Sequence, residues 1–267
     1  KDYFEKTGHS KAVLGLSGGI DSALTACIAV DSIGKENVVG VAMPSKFSSK
    51  HSIADAKQLS ANLGIKFHII SIEDIYNSAL IALEPIFSGK QPNVAEENIQ
   101  ARIRGLFLMA ISNKFNWLVL STGNKTELAL GYCTLYGDMN GGISVISDLS
   151  KNDVYNLSGW VNELHDFNRI PKNTIIKPPS AELAPNQVDP FDYDIVSPLV
   201  DLLIKNNQIF DSKNMNQNKA LINDLYIRIR NNEYKRRQAA LGLRVTSKAF
   251  GIGRRFPIVN QFNPNKT

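Results

Sequence analysis

The chain is poor in the residues that most often carry chemistry by themselves. Among its 267 residues are two cysteines, Cys27 and Cys133, and four histidines, His9, His51, His68 and His165. The cysteines have no CxxC or other ligand spacing, which argues against a disulfide framework or a thiolate metal site. Both are expected to be reduced apolar fillers. The histidines lack ligand spacing too, so a zinc-type centre has no support. No apolar run approaches the roughly 20 residues of a membrane span, and no cleavable leader pattern opens the sequence. These absences lead us to expect a soluble, cytoplasmic protein without a membrane partner. Two nucleotide signatures are also missing: the lysine of GxxxxGK[ST] and the third glycine of the dinucleotide fingerprint.

A hydrophobic content of 43% over this length supports one substantial core, and we expect a single domain over residues 1–267. The net charge of +5 is concentrated late, at Lys235, Arg236, Arg237, Arg244, Lys248, Arg254 and Arg255. Such a cluster could hold phosphate or nucleic acid, or be a solvated basic tail. No RNA-binding signature or interleaved aromatics accompany it, and no nucleic-acid partner is expected.

Residues 11–22, KAVLGLSGGIDS, carry the clearest signal. An apolar run reads as a buried strand, Ser17, Gly18 and Gly19 form a turn, and a helical pattern follows at once. Bare glycine backbone can approach an anion, and helix N-terminal N–H groups with their dipole favour its charge. An ordinary strand-turn-helix corner needs one glycine and a cap; it does not need Asp21 and Ser22 directly after them.

Through the first half, strands at 13–16, 38–42, 66–70 and 117–120 alternate with helical patterns at 23–32, 52–63, 72–83 and 98–112. This predicts an α/β fold, a doubly wound parallel sheet with helices on both faces, followed by C-terminal helices. The core sheet is expected within about 11–170, a loop over 171–198 and a helical part over 199–245. Ligands of such sheets bind beyond the carboxyl ends of the strands. There, after Leu120, lies STGNKTELALGYCTLYGD, residues 121–138. Glu127 opens a short helical turn. It could be a cap, or it could face Asp21 and help it hold a hard divalent cation beside phosphates.

SGGIDS resembles the PP-loop of the ATP pyrophosphatases. Together with residues 121–138, NIQARIRG at 98–105, GDMNGG at 137–142, DLSKNDVY at 148–155 and KPPSAEL at 177–183, it is similar to the NAD synthetase family, over nearly the whole chain. The resemblance implies that Gly15, Leu16, Ser17, Gly18, Gly19, Ile20, Asp21 and Ser22 wrap the phosphates of ATP, with Ser49, Thr122, Lys151 and Ser180 also contacting it. It implies that Asp21 and Glu127 hold Mg2+, and that Asn98, Arg102, Leu135, Asp138, Asp189, Tyr234 and Lys235 meet nicotinic acid adenine dinucleotide (deamido-NAD). Leu135 and Tyr234 stand where many members have lysine and histidine. Asp21, Glu127, Asp138 and Lys151 are the implied catalytic set. Lys151 makes sense as a point charge on phosphate oxygens, and at a helix start it would otherwise oppose the dipole. Arg102 could instead be a structural ion-pair partner.

The implied reaction activates the nicotinate carboxylate with ATP, releasing pyrophosphate, and ammonia then displaces AMP. Free ammonia is the expected nitrogen donor, because no glutaminase segment is seen; a glutaminase-fed synthetase domain is the alternative, and another AMP-forming PP-loop ligase is a further one. The family also implies a homodimer, and the long apolar helix near residue 105 could be core or dimer face. The Pro- and Asp-rich loop at 171–198 reads either as a lid over ATP or as a static connection.

Overall fold

The structure, a computed structural model, describes residues 1–165, 167–205 and 219–259. Six strands form one parallel sheet: β1 (Ala12–Gly15), β2 (Val38–Ala42), β3 (Lys66–Ile69), β4 (Leu118–Ser121), β5 (Ile143–Ser144) and β6 (Leu241–Gly242), in the order β3-β2-β1-β4-β5-β6. Ala12 of the central strand stands opposite Val38 on one side and Leu118 on the other.

Successive residues of a strand face opposite sides of a sheet. Ala12, Leu14 and Leu16 pack with α2 (Ile20–Ile33), α3 (Lys50–Leu63) and α7 (Lys151–Glu163), joined by Phe4 of α1 (Asp2–Thr7) and by α8 (Lys172–Ile176). Val13, Val39, Val41 and Val119 pack on the other face, against α4 (Glu73–Phe87) and α5 (Val94–Phe115). Both faces are thus covered, as the unbroken apolar strands require. A further cluster lies beside the sheet, where Ala129 and Leu130 of α6 (Lys125–Leu130) meet Val200 and Ile204 of α9 (Tyr193–Lys205), Leu225 and Ile229 of α10 (Lys219–Asn231) and Phe256. The short α11 (Glu233–Arg236) follows α10.

The doubly wound sheet is the expected one, with differences that have physical causes. Helix α2 starts at Ile20, earlier than its apolar periodicity, because Gly19 takes the extended N-cap conformation. Helix α5 runs longer than 98–112 because Asn93 and Glu96 close a capping box ahead of it. Strands β5 and β6, two residues each, are too short to leave a periodic signal. Because β6 pairs with β5, the sheet extends beyond residue 170, and the C-terminal part is not purely helical. Part of that expected helical stretch, 206–218, lies outside the described residues. The expected loop at 171–198 begins with α8 and ends in α9, leaving 177–192 irregular.

Candidate active site

The site grows from the carboxyl ends of β1 and β4, the adjacent strands on either side of which the chain winds in opposite directions. At the end of β1, Gly18 has a φ of 80°, and a Cβ there would strike the Ser52 carbonyl of α3. Ser17 Oγ accepts the Gly19 N–H at 3.2 Å and lies 3.3 Å from Ser22 Oγ, which donates to the Gly19 carbonyl at 3.0 Å. Helix α2 has no side-chain cap, so the donors of its first turn are left for a ligand.

At the end of β4, Asn124 does three things at once. Its Oδ1 accepts the Glu127 N–H at 3.0 Å, its own N–H donates to Glu127 Oε2 at 3.4 Å, and its Nδ2 donates to Asp21 Oδ1 at 2.8 Å. Glu127 is therefore both a cap partner and a site residue. Lys151, the first residue of α7, is positioned by its N-cap Ser150 and by its own N–H, which donates to Thr126 Oγ1 at 3.1 Å. Its ammonium sits between the two carboxylates, 2.6 Å from Asp21 Oδ2 and 3.1 Å from Glu127 Oε1, with the Tyr193 ring centroid at 5.2 Å.

This triad has uneven electrostatics. Burial pushes the Glu127 carboxyl up to about 7; Lys151 pulls it down, and the Asp21 charge adds to the rise. Burial works against the charge of Lys151, but the two carboxylates outweigh it and hold the ammonium above its ordinary value. Two carboxylates converging on one cation are a suitable donor pair for magnesium. Among the described residues no cluster of three or more His, Cys, Asp or Glu could complete a protein-only metal site. The ion would need phosphate and water oxygens, which is how magnesium is usually held beside nucleotides.

A cleft of about 310 Å3 opens above the triad. Of the expected residues it is lined by Gly15, Leu16, Ser17, Gly19, Ile20, Asp21, Ser22, Thr122, Glu127, Asp138, Lys151, Ser180 and Asp189. Ser180 faces the cleft, yet its hydroxyl donates to the Gln187 carbonyl at 2.6 Å and accepts the Glu182 N–H at 3.1 Å. Asp189 accepts from the Tyr193 hydroxyl at 2.9 Å. Asp138 lines the cleft and is exposed there. The protein packed around its carboxyl group pushes it above the ordinary range, against the Thr134 N–H it accepts at 2.8 Å and the nearby Lys235 and Arg104 charges.

The remaining expected residues do not line the cleft. Ser49 caps α3. Asn98 accepts from the Thr134 hydroxyl at 2.6 Å, Arg102 donates to the Leu135 carbonyl at 3.2 Å, and Lys235 donates to the Gly131 and Cys133 carbonyls, each at 2.8 Å. These three brace the 131–138 segment, and Tyr234 is exposed. Arg104, two residues beyond Arg102 on α5, is the arginine that faces the cleft. It donates to the Met43 carbonyl at 3.0 Å, and burial lowers it to about 10 while the charges of Glu182 and Asp138 support its protonation. The expectation named Arg102 alone; which arginine of NIQARIRG turns to the cleft depends on how α5 packs across the sheet. Asn124, Lys177 and Glu182 were not among the expected residues; the spacing Asn124-x-x-Glu127 marks a capping box, but no spacing rule marks the other two. Cys133 lines the cleft as well, but burial pushes its thiol up to about 12, with Asp138 adding to the rise and Lys235 opposing it, so it is no thiolate.

A doubly wound parallel sheet whose central strand ends in SGGxDS places the chain in the PP-loop ATP pyrophosphatase class. Within it the chain belongs to the NAD synthase family, whose model matches residues 1–239. It is 49% identical over 268 residues to the glutamine-dependent NAD(+) synthetase of Thermotoga maritima, an alignment covering 98% of this chain and 46% of that protein. The match to the Synechocystis enzyme of the same name is 49% identical and covers 98% and 48%. Among solved structures, the NH3-dependent NAD synthetase of Campylobacter jejuni superposes with a TM-score of 0.71 at 31% identity, over 88% of this chain and 90% of that one. The glutamine-dependent NAD+ synthetase of Acinetobacter baumannii, in complex with ADP, gives 0.66 at 43% identity, over 97% and 47%. The chain spans about half the length of the curated relatives it matches.

Proposed function

We propose that the chain catalyses the ATP-dependent amidation of deamido-NAD to NAD, releasing AMP and pyrophosphate. The observation that carries this reading is the Lys151 ammonium held between Asp21 and Glu127 at the mouth of the glycine turn. A nicotinate oxygen attacks the α-phosphorus of ATP, the bond to the bridging oxygen breaks, and pyrophosphate leaves with that oxygen. Ammonia then attacks the carbonyl carbon of the mixed anhydride; the bond from that carbon to the oxygen shared with phosphorus breaks, AMP leaves with that oxygen, the other nicotinate oxygen remains as the amide carbonyl, and a proton is lost from nitrogen. Such displacement asks the protein for positioning and for positive charge where negative charge grows. The first-turn N–H groups of α2 and the Lys151 ammonium meet the departing pyrophosphate, and Thr122 and Ser180 border the nucleotide. Asp21 and Glu127 would hold Mg2+, which supplies charge neutralisation at the phosphates when bound. Asp138, open to the cleft with a raised carboxyl, would take the proton from ammonium. Asp138 and Asp189 would meet deamido-NAD directly, whereas Asn98, Arg102, Leu135 and Lys235 would act by bracing the wall it lies on. Tyr234 would contact it at the exposed rim.

Ammonia is the nucleophile at this site whatever its origin. A glutaminase-fed source is favoured by the relatives named glutamine-dependent, of which this chain matches about half; free ammonia is favoured by the Campylobacter likeness, which spans 90% of an NH3-dependent enzyme. We also propose a homodimer through the α4 and α5 surface, where Ile81, Ile86 and Leu106 are exposed, and a cytoplasmic location.

The test is an assay with deamido-NAD, ATP, Mg2+ and either ammonium or glutamine. Formation of NAD and AMP in equal amounts with ammonium is expected; a folded chain that forms neither defeats the reading. Asp21→Asn is expected to lower AMP formation by about 10²-fold or more while leaving the thermal midpoint within a few degrees of wild type.

A further inference from the structure

One wall of the cleft is the irregular segment 177–183, whose middle is fastened to α3 through Glu182. The Glu182 carboxylate accepts the Ser49 N–H at 3.0 Å, the Ser49 hydroxyl at 2.9 Å and the Ser52 hydroxyl at 2.6 Å, all in the first turn of α3. Its backbone stands at a φ of 49°, in the left-handed region that non-glycine residues rarely occupy. A residue stays there when its surroundings fix it, and here the three donors do so. Lys177, at the start of the same segment, donates to Ser52 Oγ at 2.9 Å and pairs with Asp55 at 3.3 Å.

Ser52 is shared between the two walls. Its hydroxyl binds Glu182, while its carbonyl lies against Gly18 so closely that a Cβ there would strike it. The Glu182 carboxylate, with Lys177 at the segment's start, therefore ties the 177–183 wall to the helix that backs the phosphate turn. Gln100 helps from α5 by donating to the Leu183 carbonyl at 2.8 Å, but it reaches the segment at its far end and does not touch α3.

We propose that Glu182 is a positioning residue for nucleotide binding: it holds the 177–183 wall against α3 in the ATP-competent arrangement before ATP arrives. The proposal rests on the reading of the glycine turn as an ATP site. When only a fraction of molecules is competent, apparent affinity falls by that fraction. Loss of the carboxylate loosens the middle of the wall, which Lys177 and Gln100 hold only at its ends, and lowers the competent fraction, whereas bound ATP restores the wall, so the effect falls on affinity rather than on turnover.

The experiment is a calorimetric titration of the full chain with Mg-ATP, without the dinucleotide acid, for wild type, Glu182→Ala and Glu182→Gln, followed by steady-state kinetics. Glu182→Ala is expected to weaken ATP binding about tenfold or more and to raise the KM for ATP in parallel, with kcat at saturating ATP within about twofold. Glu182→Gln, which keeps the volume and one acceptor oxygen, is expected to fall between. Unchanged ATP affinity in Glu182→Ala, or lost kcat at unchanged affinity, overturns the proposal. Should Glu182→Ala fail to fold, Glu182→Gln decides, and wild-type affinity in that variant overturns it. A wild-type chain that binds no ATP overturns the proposed function and this proposal together; wild-type binding indifferent to Glu182 overturns this one alone.

Discussion

At the scale of the residue, the site is governed by competition between burial and pairing around Lys151. Burial is the largest influence on Glu127, and it leaves the carboxyl near 7 despite the adjacent ammonium. In an unfolded chain the same group titrates near 4.3. Between those values the folded state holds more protons than the unfolded one, so stability contributed by Glu127 is full at acid pH and declines as pH rises through the window. In ligand-free protein, Glu127→Gln is therefore expected to gain about 2–3 kcal/mol relative to wild type between pH 5 and pH 7.5, measured by urea unfolding. A constant difference across that range would show that Lys151 keeps Glu127 ionised throughout. Asp21, Glu127 and Lys151 were legible in the sequence because their chemistry sits in contiguous motifs at strand and helix ends. Arg104 and Glu182 were not, because the direction of a side chain on a long helix, or along an irregular loop, is set by what packs against it.

At the scale of the element, the phosphate turn works because three structures meet at Gly18: the end of β1, the start of α2 and the first turn of α3. A side chain there meets both a positive φ and the Ser52 carbonyl. Gly18→Ala is expected to cost about 1–3 kcal/mol of stability and to abolish measurable ATP binding, checked by thermal unfolding and nucleotide titration on the same preparation. The alternation of strands and helices in the first half was readable because each carries its own period. Strands β5 and β6 were not, since two residues define no period and their place depends on partners distant in sequence. Irregular residues 177–192 likewise showed only a proline-rich composition, with no hint of which end was anchored.

At the scale of the whole molecule, the C-terminal segment is integral to the domain although it extends past the residues matched by the family model. Strand β6 completes the sheet, and Asp148 accepts the Val245 N–H at 2.8 Å, the Thr246 N–H at 2.6 Å and the Thr246 hydroxyl at 2.8 Å. The same carboxylate pairs at 3.1 Å with Lys125, only 1% exposed, which also reaches Asp201 at 3.1 Å. The late basic cluster is not wholly a solvated tail, since part of it is tied into the fold. Arg236 is buried, paired with Glu233 at 3.1 Å and stacked over Phe250 at 4.5 Å, while Arg237 pairs with Glu233 at 2.6 Å and Lys235 braces the cleft wall. Truncation after Ala239 strips Asp148 of three donors and removes Phe256 from its cluster. A loss of several kcal/mol is expected, appearing as a fall in the thermal midpoint of about 10 °C or more by circular dichroism; a fall under about 2 °C would mean that the segment is an appendage.

The hydrogen bond from Asn124 to Asp21 joins residues 103 apart, and the Lys151 contact with Asp21 spans 130. Contacts that close such long intervals form late in folding, and a chain emerging from the ribosome meets them in order. The phosphate turn is made early, but it lacks its neighbouring carboxylate until β4 and α6 have emerged, and its lysine until α7 has followed. Nascent chains therefore pass through a long interval in which the glycine turn exists and the assembled triad does not. Competence for ATP is acquired only when α7 has been made and docked.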